Sequence, residues 1–368
     1  RWHGRAPRRP GGGTVLSVSV GAAEAAAGGG AEAVACGALE GALRALAGPG
    51  APGLELEVLL TAPCPVPLCP DWTLERALRA PSLGAEAVTP LRTAGLVAVP
   101  RALSADRLKE VCELCDRRIS AADKALEARG VAPGRDAFAF REVASRGGHR
   151  FDLLLLEEED PFGLQGSSGG GQGGRAGGGG DGGPSDGSRA AEAEFLKRVA
   201  REAPWAELVT SMLGSGRGQG VRLWVSVVYS RPGAPPQEWH ADGPHVGRCA
   251  GWDSDDGAGE APPYALCVFV PLCDLSPEVG FTQFWPGTHR HDRLLGFGGA
   301  CEVLGAQVDG LLRAGDALVY DYRLMHRGMP NQSGGGPNAR QRAILQFFYH
   351  DSSYAERRNY GDAPLFAA

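Results

Sequence analysis

From Val221 onward the chain is a series of short apolar runs, each closed by glycine, proline or polar residues, and that spacing admits few folds. Val221–Tyr229 reads as one strand, with Arg231-Pro232-Gly233-Ala234 as the turn after it. Ala265–Leu272 is nearly all apolar, as a strand covered on both faces should be. Phe281–Trp285, Ala317–Tyr322 and Arg342–Tyr349 follow. Many short strands punctuated by turns predict a mainly β domain with flanking helices, folded as a double-sheet jelly roll of the cupin-like kind.

The helices come from the first half of the chain. Leu91–Pro100 reads as a strand, and Ser104 then caps a helix running toward Gly130, with Asp106 in its first turn. Arg150–Leu156 is another strand candidate. Glu194–Leu213 returns to helix, with Pro204 expected to kink or split it. Residues 88–368 are thus expected to form the main domain. The stretch Gly166–Gly187, mostly glycine and serine with nothing to bury, reads as a disordered surface insertion in it. Residues 1–87 read as an N-terminal extension. Its strand-like Thr14–Val20, Ala-rich helical stretch to Leu46 and strand-like Leu54–Leu60 suggest a small β-α-β appendage, followed by a linker over Pro63–Pro70.

At 368 residues and 43% hydrophobic content, the chain can bury one large core plus a smaller appendage. A net charge of −6 argues against a general nucleic-acid binder. No apolar run approaches the roughly 20 residues of a membrane span, and nothing indicates an obligate protein partner. Nine cysteines without framework spacing read as reduced thiols, which sets the chain inside the cell. Arg1, Arg5, Arg8 and Arg9 precede any acidic residue, a composition shared by transit-peptide tails and plain basic ends, so cytoplasm and organelle both stay open. Cys112 and Cys115 form a C-x-x-C, but Leu108, Val111, Leu114 and Ile119 give it a helical apolar face and no second pair is near. It reads as core packing.

Chemistry concentrates in Glu238-Trp239-His240-Ala241-Asp242-Gly243-Pro244-His245. Side chains two apart on an extended strand point the same way, so an imidazole and a carboxylate project together from His240 and Asp242. His326, just after the strand-like Ala317–Tyr320, is the candidate third ligand. Two histidines and one carboxylate form the facial triad of non-haem Fe(II) oxygenases, which leaves open positions for a co-substrate and O2.

The order of motifs resembles the phytanoyl-CoA dioxygenase family. It is carried by Tyr229–His245, Gly280-Phe281-Thr282-Gln283-Phe284-Trp285-Pro286-Gly287-Thr288-His289-Arg290, Gly315-Asp316 and His326-Arg327-Gly328 with Asn331 and Ser333. The likeness covers roughly Val88–Tyr349 and implies a double-stranded β-helix binding Fe(II) and 2-oxoglutarate, with O2 as the other co-substrate. By the same likeness His240, Asp242 and His326 become the iron ligands, and the carboxylate of Asp242 favours hydroxylation over halogenation.

The distal carboxylate of 2-oxoglutarate needs a buried cation, which the family takes from the strand after the second histidine. Arg342 opens such a strand and is favoured, while Arg340 has the same parity and is its rival. Thr282 and Gln283 either touch co-substrate or substrate or serve strand packing. His289 reads as structural, and Asp321 and Arg323 read as an ion pair. His245 is placed to line the entrance and Gly247–Pro263 to act as a substrate lid. The expected activity is oxidation of a small molecule with release of succinate and CO2. Rival readings are a non-catalytic cupin-like binding protein and a metal-dependent hydrolase or isomerase, which would not need Arg342.

Overall fold

The computed structural model describes residues 73–79, 85–162, 186–213, 220–244, 262–290, 298–304, 306–334, 339–356 and 360–366. The strand–helix–strand expected over 14–60 and the linker over 63–70 lie outside the described residues, as does most of the expected insertion. Its last two positions, Asp186 and Gly187, already belong to a helix.

Among the described residues ten strands form two antiparallel sheets. β1 (Leu96–Val99), β2 (Val143–Ser145), β3 (Arg150–Glu158), β4 (Val221–Ser230), β5 (Ala265–Pro271), β8 (Ala317–Asp321) and β10 (Arg342–Asp351) make the larger sheet, in the order β1-β8-β5-β10-β4-β3-β2. β6 (Thr282–Phe284), β7 (Val308–Gly310) and β9 (His326–Gly328) make the smaller one, in the order β7-β6-β9. A bridge between His240 and His326 extends the smaller sheet past β9. From β4 to β10 the chain passes repeatedly between the sheets, so neighbours in space are distant in sequence. This is the double-stranded β-helix.

The pleat of β4 shows how the larger sheet is used. Val221, Leu223, Val225 and Val227 face outward and are buried, together with Leu345, Phe347 and Tyr349 of β10. Helices cover them. In α3 (Ala105–Ala128) the buried residues Val111, Leu114, Cys115, Ile119, Ala122 and Leu126 recur at helical spacing on one face. The Ser104 hydroxyl accepts the N–H of Arg107, so the cap is where the sequence puts it. Cys115 belongs to that core and both thiols of the C-x-x-C are free. Pro204 divides the next helical stretch into α4 (Asp186–Glu202) and α5 (Ala206–Leu213), and Trp205 between them donates to the Tyr349 hydroxyl at 3.1 Å.

The other residues of β4, in register with those of β3 and β10, face the smaller sheet. Arg222, Trp224 and Val228 are only partly covered there, and so are Gln346 and Phe269, whereas their outward neighbours are fully buried. Toward β5 and β8 the space between the sheets is filled by a second core cluster that includes Cys267, Leu318, Tyr320, Phe284 and Phe348, and it is less completely filled beside Trp224 and Val228. No helix among the described residues is long and apolar enough to cross a membrane.

Two expectations change. Leu91–Pro100 is not one strand: α1 (Leu74–Arg79) is followed by α2 (Ala85–Ala94), and β1 covers only Leu96–Val99. Gly95 makes the switch, at φ +81°, where any Cβ would also lie 2.5 Å from His289 Nδ1. The His240 segment is not a strand either. It holds one bridge to β9 and then turns away.

Candidate metal centre

Two backbone hydrogen bonds fix the first histidine against the second: His240 N–H donates to His326 O at 3.0 Å and His326 N–H returns to His240 O at 2.8 Å. Each ring is then oriented by its own chain. His240 Nδ1 lies 2.7 Å from Glu238 O and His326 Nδ1 lies 2.9 Å from Leu324 O. A carbonyl can only accept, so each Nδ1 carries the proton and each Nε2 presents a lone pair.

Both lone pairs meet Asp242. His240 Nε2 is 3.7 Å from its Oδ1 and His326 Nε2 is 3.4 Å from its Oδ2. One ligand atom from each of the three lies within 4.8 Å of the others, so the cluster could hold a metal ion. Burial, reinforced by the neighbouring His326, lowers the pKa of His240 and keeps it in the neutral form a metal needs. 34% of the His240 side chain remains exposed. The donor set, two imidazoles and one carboxylate, suits ferrous iron.

Aromatic rings hold the cluster from below. The Tyr320 hydroxyl donates to Asp242 Oδ2 at 3.1 Å, and burial pushes its pKa well up, so it stays a donor. The His326 ring rests against Tyr320 and Phe284, with centroids at 5.2 and 5.9 Å. Gly243 is required beside Asp242, because a Cβ there would overlap the Tyr264 hydroxyl and the Tyr322 ring.

Arg342 and Arg340 are placed very differently. Arg340 is exposed and ion-paired with Glu278. Arg342 is 2% exposed and donates to Met329 O at 3.0 Å, to Phe281 O at 3.4 Å and to Ser230 Oγ at 3.0 Å. It is not alone. Arg150, also 2% exposed, donates to the same Ser230 Oγ at 3.0 Å and to Met329 O at 3.2 Å. Strand register explains this, since Ser230 of β4 pairs with Arg150 on one side and Arg342 on the other. Neither arginine has a carboxylate partner among the described residues. Burial lowers Arg342 to about 9, with Arg150 adding to the effect, and burial lowers Arg150 to about 10. Both therefore remain cations at neutral pH, three residues along the chain from His326 at Met329.

Sequence reading missed Arg150. Its sign was there, a cation opening the strongly apolar run Phe151–Leu156 on the interior parity, but the pairing that brings it to Arg342 crosses about 190 positions of chain.

Of the two second-rank candidates, Thr282 is buried on the same face of β6 as Phe284. Gln283 points the other way. Its Nε2 donates to Asp309 at 2.7 Å and its Oε1 accepts from Arg327 at 2.8 Å. Gln283→Ala should therefore leave co-substrate affinity unchanged and lower stability by about 1–3 kcal/mol, read by denaturant titration, because two charged partners lose a buried bridge. His289 lies with its Nε2 3.0 Å from Arg92 O, against α2. Asp321 and Arg323 form a buried bidentate pair at 2.7 and 2.9 Å. His245 lies outside the described residues, as does the Gly247–Pro263 segment apart from Pro262 and Pro263.

Residues 179–340 match the model of the phytanoyl-CoA dioxygenase (PhyH) family. PhyH enzymes use Fe(II) and 2-oxoglutarate. A curated relative, the dioxygenase easH of Epichloe festucae var. lolii, is 30% identical over 119 residues, 32% of this chain. The chain matches 57% of that relative's length. Among solved structures, HygX of Streptomyces hygroscopicus with nickel and 2-oxoglutarate bound is similar at 16% identity and a TM-score of 0.43, over 77% of this chain and 96% of that one. The non-haem α-ketoglutarate-dependent carbocyclase SnoK from nogalamycin biosynthesis is similar at 17% identity and a TM-score of 0.43, over 73% and 84%.

Proposed function

We propose that this chain is an Fe(II)- and 2-oxoglutarate-dependent dioxygenase that hydroxylates a small-molecule metabolite, with succinate and CO2 as co-products. The observation that carries the reading is the pairing of two sites in one interior: a His-Asp-His cluster and two buried arginines with no carboxylate partner among the described residues. A hydrolase or isomerase using the same triad has no need of the second site.

In this reading His240, Asp242 and His326 hold the metal through one face. Arg342 and Arg150 receive the distal carboxylate of 2-oxoglutarate through charge-assisted hydrogen bonds, with Ser230 fixing both forks. Bound iron and 2-oxoglutarate supply the oxygen-activating chemistry. The chain's own part is to orient the substrate C–H bond and restrict water between the sheets. Asp242 takes a ligand position that a halide would otherwise need.

An anaerobic titration of the apoprotein with Fe(II) and then 2-oxoglutarate tests the assignment. Saturable binding of each at one equivalent, followed by succinate release on admitting air, is the expected result. Metal binding without any 2-oxoglutarate binding would favour the cupin-like binding protein instead. Turnover is also expected to proceed at full rate in chloride-free buffer and to give no chlorinated product by mass spectrometry. A strict chloride requirement would remove Asp242 from the ligand set.

A further inference from the structure

A third interior arginine is used neither by the metal cluster nor by the co-substrate row. Asp152 faces inward on β3, one row from Arg150, Ser230 and Arg342. Its Oδ2 accepts from Arg146 Nη2 at 3.0 Å, and the Arg146 guanidinium lies 5.6 Å from the centroid of the Tyr360 ring. Tyr360 in turn lies 6.2 Å from Trp224, which pairs across the strands with Phe348, so the guanidinium is held at the interior face of the larger sheet. Asp152 and Trp224 share the face of the larger sheet that carries Arg150 and Ser230, the face turned toward the smaller sheet with His326.

One N–H of Arg146 is spent on Asp152. A guanidinium has five, and no other acceptor among the described residues takes the rest. Its side chain is 23% exposed. Beside it, Val228 pairs with Asp152 and Trp224 lies against Tyr360, and both face the same interior and are only partly covered. An oriented cation with spare donors, on the sheet face turned toward the strand of His326 and beside the partly covered Trp224 and Val228, is the arrangement that binds an anionic oxygen group while the carbon body lies against the sheet.

Resting on the reading above, we infer that Arg146, clamped by Asp152 and Tyr360, anchors a carboxylate or phosphate of the substrate, making this an oxygenase of small organic acids. Neither oxygen source is favoured over the other by the geometry, since both present the paired acceptors that an arginine fork fits.

The test uses the full chain loaded with Ni(II) and 2-oxoglutarate, which binds without turning over. Calorimetric titration compares a panel of aliphatic and aromatic monocarboxylates and monophosphates with their neutral amides and alcohols. At least one anion should bind tenfold or more tightly than its neutral counterpart, and the preferred series tells carboxylate from phosphate. Arg146→Gln should erase that preference and Arg146→Lys should keep part of it. In both variants 2-oxoglutarate affinity should stay within about twofold of the parent, as for a residue outside that site.

The inference is overturned if anions and neutral analogues bind alike, if no anion in the panel binds, or if Arg146→Gln lowers the melting temperature but leaves the preference intact. That last result would make Arg146 a brace for Tyr360. Failure of Ni(II) or 2-oxoglutarate to bind the parent protein is a different outcome, and would count against the dioxygenase reading itself.

Discussion

Replacing His240 or Asp242 with alanine is expected to lower metal affinity by well over 100-fold while leaving a folded protein. Removing a group that merely orients a ligand typically costs 10–100-fold, so removing a ligand costs more. The fold should survive because neither side chain is fully buried; they keep 34% and 26% exposure. The bridge between His240 and His326 is made by backbone atoms, so an alanine can keep it. Asp242→Ala carries one extra cost, since the buried Tyr320 hydroxyl loses its carboxylate acceptor, worth about 1–3 kcal/mol. The measurement is the rise in melting temperature on adding Co(II) under nitrogen. The parent should show a clear rise and both variants none, with His240→Ala close to the parent in the absence of metal. A variant that keeps the metal-induced rise would mean that the ion binds elsewhere.

How much of this was legible in the sequence depended on the distance over which each feature is built. The Ser104 cap needs only the next three residues, and the split at Pro204 only one, so both could be read directly. The same holds for β4, β5 and β10, whose apolar runs are long enough to identify alone. Leu91–Ala94 was misread because Leu-Arg-Thr-Ala fits a strand as well as a helix. What decides is Gly95 and the packing of α2, neither visible as a local pattern. β7 and β9 have three residues each and owe their existence to pairing with β6.

In the site the division is similar. His240 and Asp242 announce themselves by adjacency, but the reason first offered for their convergence, strand alternation, is not how they converge. A single bridge sets His240, and the turn at Gly243 brings Asp242 round. Gln283 shows the converse. Its neighbour Thr282 shares the interior face, and only the pairing of β6 with β7 and β9 reveals that Gln283 is held by Asp309 and Arg327 on the other side.

Arg342→Gln is expected to weaken 2-oxoglutarate binding by about 10- to 100-fold, because a hydrogen bond to a charged group contributes roughly 1.5–3 kcal/mol and 1.4 kcal/mol is a factor of ten. Arg150→Gln should fall in the same range, since its fork meets the same Ser230 hydroxyl. Arg340→Gln, which removes an exposed ion pair with Glu278, should change affinity by less than about threefold. The stability of the apoprotein provides the sharper contrast. Two buried like charges oppose each other, and Gln at 342 removes one of them. The acceptors it leaves keep other donors: Arg150 still reaches Ser230 Oγ and Met329 O, and Met329 N–H still reaches Phe281 O at 2.7 Å. Arg342→Gln should therefore unfold at a temperature no lower than the parent when 2-oxoglutarate is absent, and lower than the parent when it is saturating. Ligand at 100 times its Kd stabilises the parent by about 2.7 kcal/mol, a gain the variant largely forfeits at the same concentration. A variant destabilised equally with and without 2-oxoglutarate would make Arg342 a structural cation, and the two-arginine row would then have to be explained without a bound carboxylate.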